Sequence, residues 1–168
     1  MNKKVLRLIV FAIVIGMFVF LGLGLKENTS AVGVGDPAFD FELEDLDGNL
    51  HKLSDYQGQV VVLNYFTSWC EPCIEEVDIL QAFEDNYNDR AKLLIIDRGE
   101  TKKNVKEFID KYQTTSTYLF DYNLKVSKKY NVIAQPETFV IDKNGIIREH
   151  IIGPVMLQQL SELVEKYN

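Results

Sequence analysis

Cys70 and Cys73 are the only cysteines in the chain, and they stand three positions apart in the run Trp69-Cys70-Glu71-Pro72-Cys73. Two thiols at that spacing in the first turn of a helix can close a disulfide within the usual Cα separation of about 4.4–6.8 Å. A helix N-terminus also presents unpaired N–H groups and the positive end of a dipole, both of which favour a thiolate. Cys70 is then the exposed attacking thiol and Cys73 the partner behind it, and the chemistry is thiol–disulfide exchange. Two plainer uses of the pair fit less well. A structural zinc site needs four ligands, and only His51 and His150 remain, far apart in sequence, so no metal is expected. A purely structural disulfide across so short a loop removes little entropy from the unfolded chain.

The elements that must hold the pair lie on either side of it. Val60-Val61-Val62-Leu63-Asn64-Tyr65-Phe66 is apolar, β-branched or aromatic except at Asn64, as expected of a strand buried on both faces. From Ile74 the period changes to about 3.6, with Val77, Leu80, Phe83 and Tyr87 on one stripe, and this predicts a helix to about Asn88. Glu76 falls on that stripe, three residues after Cys73. A carboxylate there is expected to be desolvated, to have a raised pKa and to exchange protons with Cys73. The plainer alternative is a solvated acid at the stripe edge. Glu71, beside the attacking thiol, opposes the helix dipole, so Cys70 is expected to be less acidic than in a strong oxidant.

The pattern Trp69-Cys70-x-Pro72-Cys73 after a buried strand resembles the thioredoxin superfamily. Further stretches, Gly35-Asp36-Pro37-Ala38-Phe39, Leu53–Gly58, Gly99-Glu100-Thr101-Lys102 and Pro136–Asp142, make Val34 to Glu165 similar to the ResA-type, membrane-anchored thiol-disulfide oxidoreductases. The resemblance implies catalytic roles for Cys70, Cys73 and Glu76, and a cis peptide at Gln135–Pro136. It also implies a substrate-binding surface made by Trp69, Glu71, Pro72, Gln135 and Pro136, with the loop backbone holding an extended substrate like an added strand. Pro72 is common in reducing members, which favours a disulfide reductant. No cofactor is implied. The partners implied are disulfide-containing exported proteins, apocytochrome c among them, and a membrane thiol electron donor. Two departures stand out. Gln135 replaces the smaller or apolar residue usual before this proline. Asp78 stands where a helix proline often occurs, so the active-site helix is expected to be straighter.

Residues 1–26 hold four of the eighteen basic residues and none of the 25 acidic ones, leaving 14 basic against 25 acidic and a net charge of −11. That balance argues against nucleic acid as a partner. Leu8–Leu25 is eighteen residues without a charge behind Lys3, Lys4 and Arg7. As a helix it just reaches across a bilayer, and the basic flank places the rest of the chain outside the cytoplasm. A cleaved signal peptide is the competing expectation, with an apolar core normally of only about 7–15 residues. The organisation expected is a basic flank and transmembrane signal-anchor over 1–26, a tether over 27–35 and a thioredoxin-like domain over 36–168.

Periodicity predicts a strand at Phe39–Leu43 paired in a hairpin with Leu50–Leu53, and a second apolar strand at Ala91–Asp97. It further predicts a helix at Thr101–Tyr112, a short strand at Thr117–Phe120 and a two-turn helix at Asn123–Tyr130. A hairpin of Glu137–Asp142 with Ile146–Ile152 follows, then a closing helix started by Pro154. This is an α/β fold, a central mixed sheet flanked by helices with an N-terminal β-hairpin extension and an N-terminal transmembrane helix. Two other activities compete: a thiol peroxidase, although Leu63 occupies the place of an expected proline, and a non-catalytic binding module on a thioredoxin scaffold.

Overall fold

The computed structural model describes residues 7, 11–17 and 31–168. Residues 11–17 are helical. The expected membrane span Leu8–Leu25 and residues 27–30 of the expected tether fall largely outside the described residues, among which no helix is long and apolar enough to cross a membrane. Residues 31–168 form a compact unit of their own.

That unit is built on one seven-stranded sheet. Its strands are β1 (Glu42–Asp45), β2 (Leu50–Lys52), β3 (Val60–Phe66), β4 (Ala91–Asp97), β5 (Tyr118–Phe120), β6 (Glu137–Ile141) and β7 (Ile147–Ile152), in the order β2-β1-β5-β4-β3-β6-β7. β3 is an inner strand and buried throughout, as its sequence, apolar except at Asn64, leads one to expect. It runs parallel to β4 and antiparallel to β6, and β4 runs parallel to β5, so the sheet is mixed. The hairpin β1–β2 extends the sheet through β1, which pairs antiparallel with β5.

Alternation along the strands divides the core in two. Val60, Val62 and Phe66 face one layer, with α1 (Glu71–Glu75), α2 (Val77–Tyr87), α3 (Lys102–Tyr112) and α5 (Leu157–Tyr167). Val61, Leu63 and Tyr65 face the other, with α4 (Lys125–Lys129), Phe41 and the 3-10 turn Leu53–Tyr56. Both faces of β3 are thereby covered. The active-site loop leaves from its C-terminal end.

Three expectations need correcting. The helix after Cys70 is not straight: it breaks at Glu76, where the backbone turns through φ −92°, ψ −3° between α1 and α2. No proline causes this, and the break coincides with a carboxylate bound from two sides. The first strand begins at Glu42 rather than Phe39, because Phe39 and Phe41 pack into the core without joining a ladder. Pro154 does not start the closing helix, which begins at Leu157; the neighbouring Gly153 and Val155 N–H groups are engaged elsewhere, so this stretch stays out of the helix. The Val32 N–H donates to the Lys129 carbonyl and the Gly35 N–H to the Ile147 carbonyl, each at 2.8 Å.

Candidate active site

Cys70 is the N-cap of α1, with extended backbone geometry, and its Sγ accepts a hydrogen bond from the Cys73 N–H at 3.3 Å. The two sulfurs are joined in a disulfide with a Cα separation of 5.2 Å. Cys70 is 7% exposed and Cys73 1%. Cys70 is the more accessible of the two, and in the closed disulfide both are largely covered. An N–H donor in that position favours the charged form of a sulfur it faces.

The loop that presents Cys70 is held from below. Glu100 takes both polar hydrogens of Ser68, the backbone N–H at 2.6 Å and the hydroxyl at 2.7 Å. Glu100 reaches back because Gly99 turns the chain at φ +83°, a conformation that side chains resist. Asp97 ends β4 opposite Phe66, accepts the Glu100 N–H at 2.8 Å and is fully buried. Burial first, with the charge of Glu100, raises its pKa to about 7.

Glu76 lies inside the fold at 1% exposure, so the solvated alternative is excluded. One carboxylate oxygen accepts from Asn64 Nδ2 at 2.8 Å and the other from the Val155 N–H at 3.0 Å. Desolvation raises its pKa to about 7, against the two hydrogen bonds, which favour the charged form. Asn64 also donates to Thr138 Oγ1 at 3.1 Å, so a single amide joins the active-site helix, the central strand and β6.

Gln135–Pro136 is cis. The Pro136 carbonyl accepts from the Gly153 N–H at 2.9 Å, and two residues later Val155 donates to Glu76. The segment 153–155 therefore binds both the proline loop and the buried acid. Trp69 is 70% exposed and so lies outside the core. Glu71 and Pro72 are exposed on the first turn, Gln135 is half-buried and Pro136 is buried.

Comparison with known proteins follows the same lines. Residues 34–150 match the AhpC/TSA family. The chain is 34% identical to the thiol-disulfide oxidoreductase ResA of Geobacillus kaustophilus, over 97% of each protein. The chain belongs to the ResA family of thiol-disulfide oxidoreductases. Among solved structures, StoA from Bacillus subtilis is similar at 28% identity with a TM-score of 0.67, over 74% of this chain and 96% of that one. The exposed lipoprotein thioredoxin of Streptococcus pneumoniae gives 25% identity and a TM-score of 0.69, over 76% and 99%. The fold is thioredoxin-like, and the chain is an enzyme of thiol–disulfide exchange.

Within this ResA-type site, sequence reasoning missed four side chains. Glu100 lies in the stretch Gly99-Glu100-Thr101-Lys102, where nothing in its neighbours marks a partner. Asp97 was visible only as the charge closing an apolar strand. Arg98 and Glu137 gave no local signal, although an acid directly after a proline and before Thr138-Phe139-Val140-Ile141 is out of place in a buried strand. Both bind the loop that precedes the cis proline.

Proposed function

We propose that this chain reduces disulfides in exported proteins from the outer face of a cell membrane, held there by Leu8–Leu25. The observation that carries the reading is the dithiol pair at a helix head with a buried, near-neutral carboxylate one turn behind it. In the proposed cycle the Cys70 thiolate attacks one sulfur of the substrate disulfide and releases the other as a thiolate. Cys73 then gives its proton to Glu76 and attacks Cys70 Sγ. The second substrate sulfur leaves, and the enzyme keeps the Cys70–Cys73 disulfide. Two electrons pass to the substrate, and a membrane thiol donor restores the dithiol.

The direction rests on Glu71, whose charge next to Cys70 offsets the helix dipole, and on Pro72. Trp69, Glu71, Pro72, Gln135 and Pro136 form the proposed substrate surface. Apocytochrome c fits as a client because its Cys-x-x-Cys must be reduced before haem attachment. The domain organisation proposed is the signal-anchor over 1–26, the tether over 27–35 and the catalytic domain over 36–168.

Replacing Cys73 by serine stops the cycle at its midpoint. The C73S protein is expected to accumulate a mixed disulfide through Cys70, separable on a non-reducing gel and identified by mass spectrometry. An exported Cys-x-x-Cys protein in that adduct supports the reading; recovery of cytoplasmic proteins alone refutes it.

The match to the AhpC/TSA family favours a second reading, peroxide reduction. Leu63 in place of proline and the neighbouring Cys73 suit dithiol exchange better. Peroxide consumption by the reduced protein is expected to stay at the rate of a free thiol, and a rate orders of magnitude above that would reverse the choice.

A further inference from the structure

Glu137 is an acid with no exposed surface in the first position of a strand otherwise made of Thr138, Phe139, Val140 and Ile141. Burying a carboxylate there is costly, and its register partner Tyr65 and neighbour Phe139 supply an apolar setting in which a hydrophobic side chain would pack without penalty. The carboxylate is nevertheless fully used. Oε1 accepts the N–H groups of Ile133 at 2.7 Å and Ala134 at 2.6 Å, and Oε2 accepts from His150 Nε2 at 2.7 Å. His150 is itself fixed by stacking on Phe139, 4.1 Å between centroids at 12°.

Arg98 approaches the same segment with the opposite charge. Its guanidinium donates to the carbonyls of Val132 at 3.1 Å and Ala134 at 3.4 Å. One anion therefore takes the donors of residues 133–134 and one cation takes the acceptors of residues 132 and 134. The segment held this way leaves the core after Val132, which is buried, and its Ile133 side chain is 74% exposed. It ends at Gln135, whose backbone N–H and C=O make no hydrogen bond to another described residue, and the Pro136 carbonyl beyond it is tied to Gly153. Both sides of Gln135 are fastened, and its own backbone is left open.

We infer that Glu137, backed by His150 and opposed by Arg98, is a positioning residue that sets the Gln135 backbone and the Ile133 side chain for an extended disulfide-bearing peptide. The inference rests on the proposed reading that substrates are polypeptides lying along this loop. It assigns binding of the peptide, not sulfur exchange itself, to the clamp. An unfastened loop can still find the bound position, but the ordering cost then falls on association.

Single-turnover kinetics of the full-length reduced protein test this, with Trp69, the sole tryptophan, as the fluorescent reporter. The substrates are a disulfide-bonded extended peptide and hydroxyethyl disulfide, an acyclic disulfide too small to lie along the loop. For Glu137→Ala the half-saturating peptide concentration is expected to rise at least tenfold, with the limiting rate within threefold and the hydroxyethyl disulfide rate within twofold. Glu137→Gln, whose amide oxygen can still accept both N–H groups, is expected to recover most of the loss. Arg98→Met releases the carbonyls instead and is expected to act in the same direction, which keeps the test available should the alanine variant not fold. Equal losses on both substrates, or an unchanged half-saturating concentration, overturn the clamp. A wild-type protein that reduces the small disulfide and no peptide overturns the substrate reading beneath it.

Discussion

Glu76→Gln is expected to slow resolution of the mixed disulfide by about a hundredfold at pH 7, the lower end of what a placed proton acceptor contributes. Cys73 must lose a proton before its sulfur can attack Cys70, and the apolar surroundings that bury it make a free hydroxide a poor acceptor. Glu76, with its pKa raised to about 7, is half-ionised at neutral pH and can both take and return that proton. Its two hydrogen bonds, from Asn64 and Val155, hold the ionised form ready without cancelling the effect of burial. Glutamine keeps the volume and one acceptor but turns an amide N–H₂ toward one of the two donors, so it resembles the neutral acid permanently. In the wild-type protein the resolution rate should therefore fall as pH drops through about 7, where Glu76 becomes protonated. In the variant that inflection should vanish, leaving only the titration of the thiols. Stopped-flow decay of a preformed Cys70 mixed disulfide from pH 5 to 9 reads both quantities. A variant with the wild-type profile removes Glu76 from the proton path.

What could be read from the chain divides by the distance over which a residue finds its partner. The strand before Cys70, the helix after it and the place of Glu76 on the apolar stripe are local patterns, and the structure keeps them. The break at Glu76 was hidden because Val77, Leu80 and Phe83 continue the helical period through it. The groups that fasten the site bind far along the chain: Ser68 to Glu100 across 32 residues, Arg98 to Val132 across 34 and Val155 to Glu76 across 79. None of those pairings leaves a periodic trace. Asn64 shows the same limit. Sequence marks it as a polar exception in a buried strand, but only the fold shows that its amide serves Glu76 and Thr138 together. Alternation at Phe39 and Phe41 misled in the opposite sense, since apolar period two records which side chains are buried, not whether the backbone joins a ladder.

The disulfide-closed protein should be most stable near pH 4 and lose several kcal/mol between there and pH 8. Glu76 and Asp97 have pKa values raised from 4.5 and 3.8 to about 7, with burial the first cause in each. A carboxyl whose folded pKa lies above its unfolded one binds its proton more tightly when folded. It therefore contributes stability that is complete below the unfolded value and disappears as pH rises through the folded one. At 1.36 kcal/mol per unit the two amount to about 3 and about 4 kcal/mol, upper limits because water and small rearrangements relieve part of the burial. The opposite slope belongs to lower pH. Asp45, Asp142 and Glu149 are held below their ordinary values by hydrogen bonds that outweigh desolvation, so what they contribute is lost only as pH falls below about 4. The window from about 4 to 7 thus belongs to the two buried acids, Glu76 and Asp97. Urea unfolding at fixed pH steps should show the midpoint falling across that window, with Glu76→Gln removing close to half of the fall and Asp97→Asn most of the remainder. A midpoint that is flat or rises from pH 5 to 8 would mean that neither acid keeps its proton in the folded protein. The near-neutral proton relay to Cys73 would then have no thermodynamic basis.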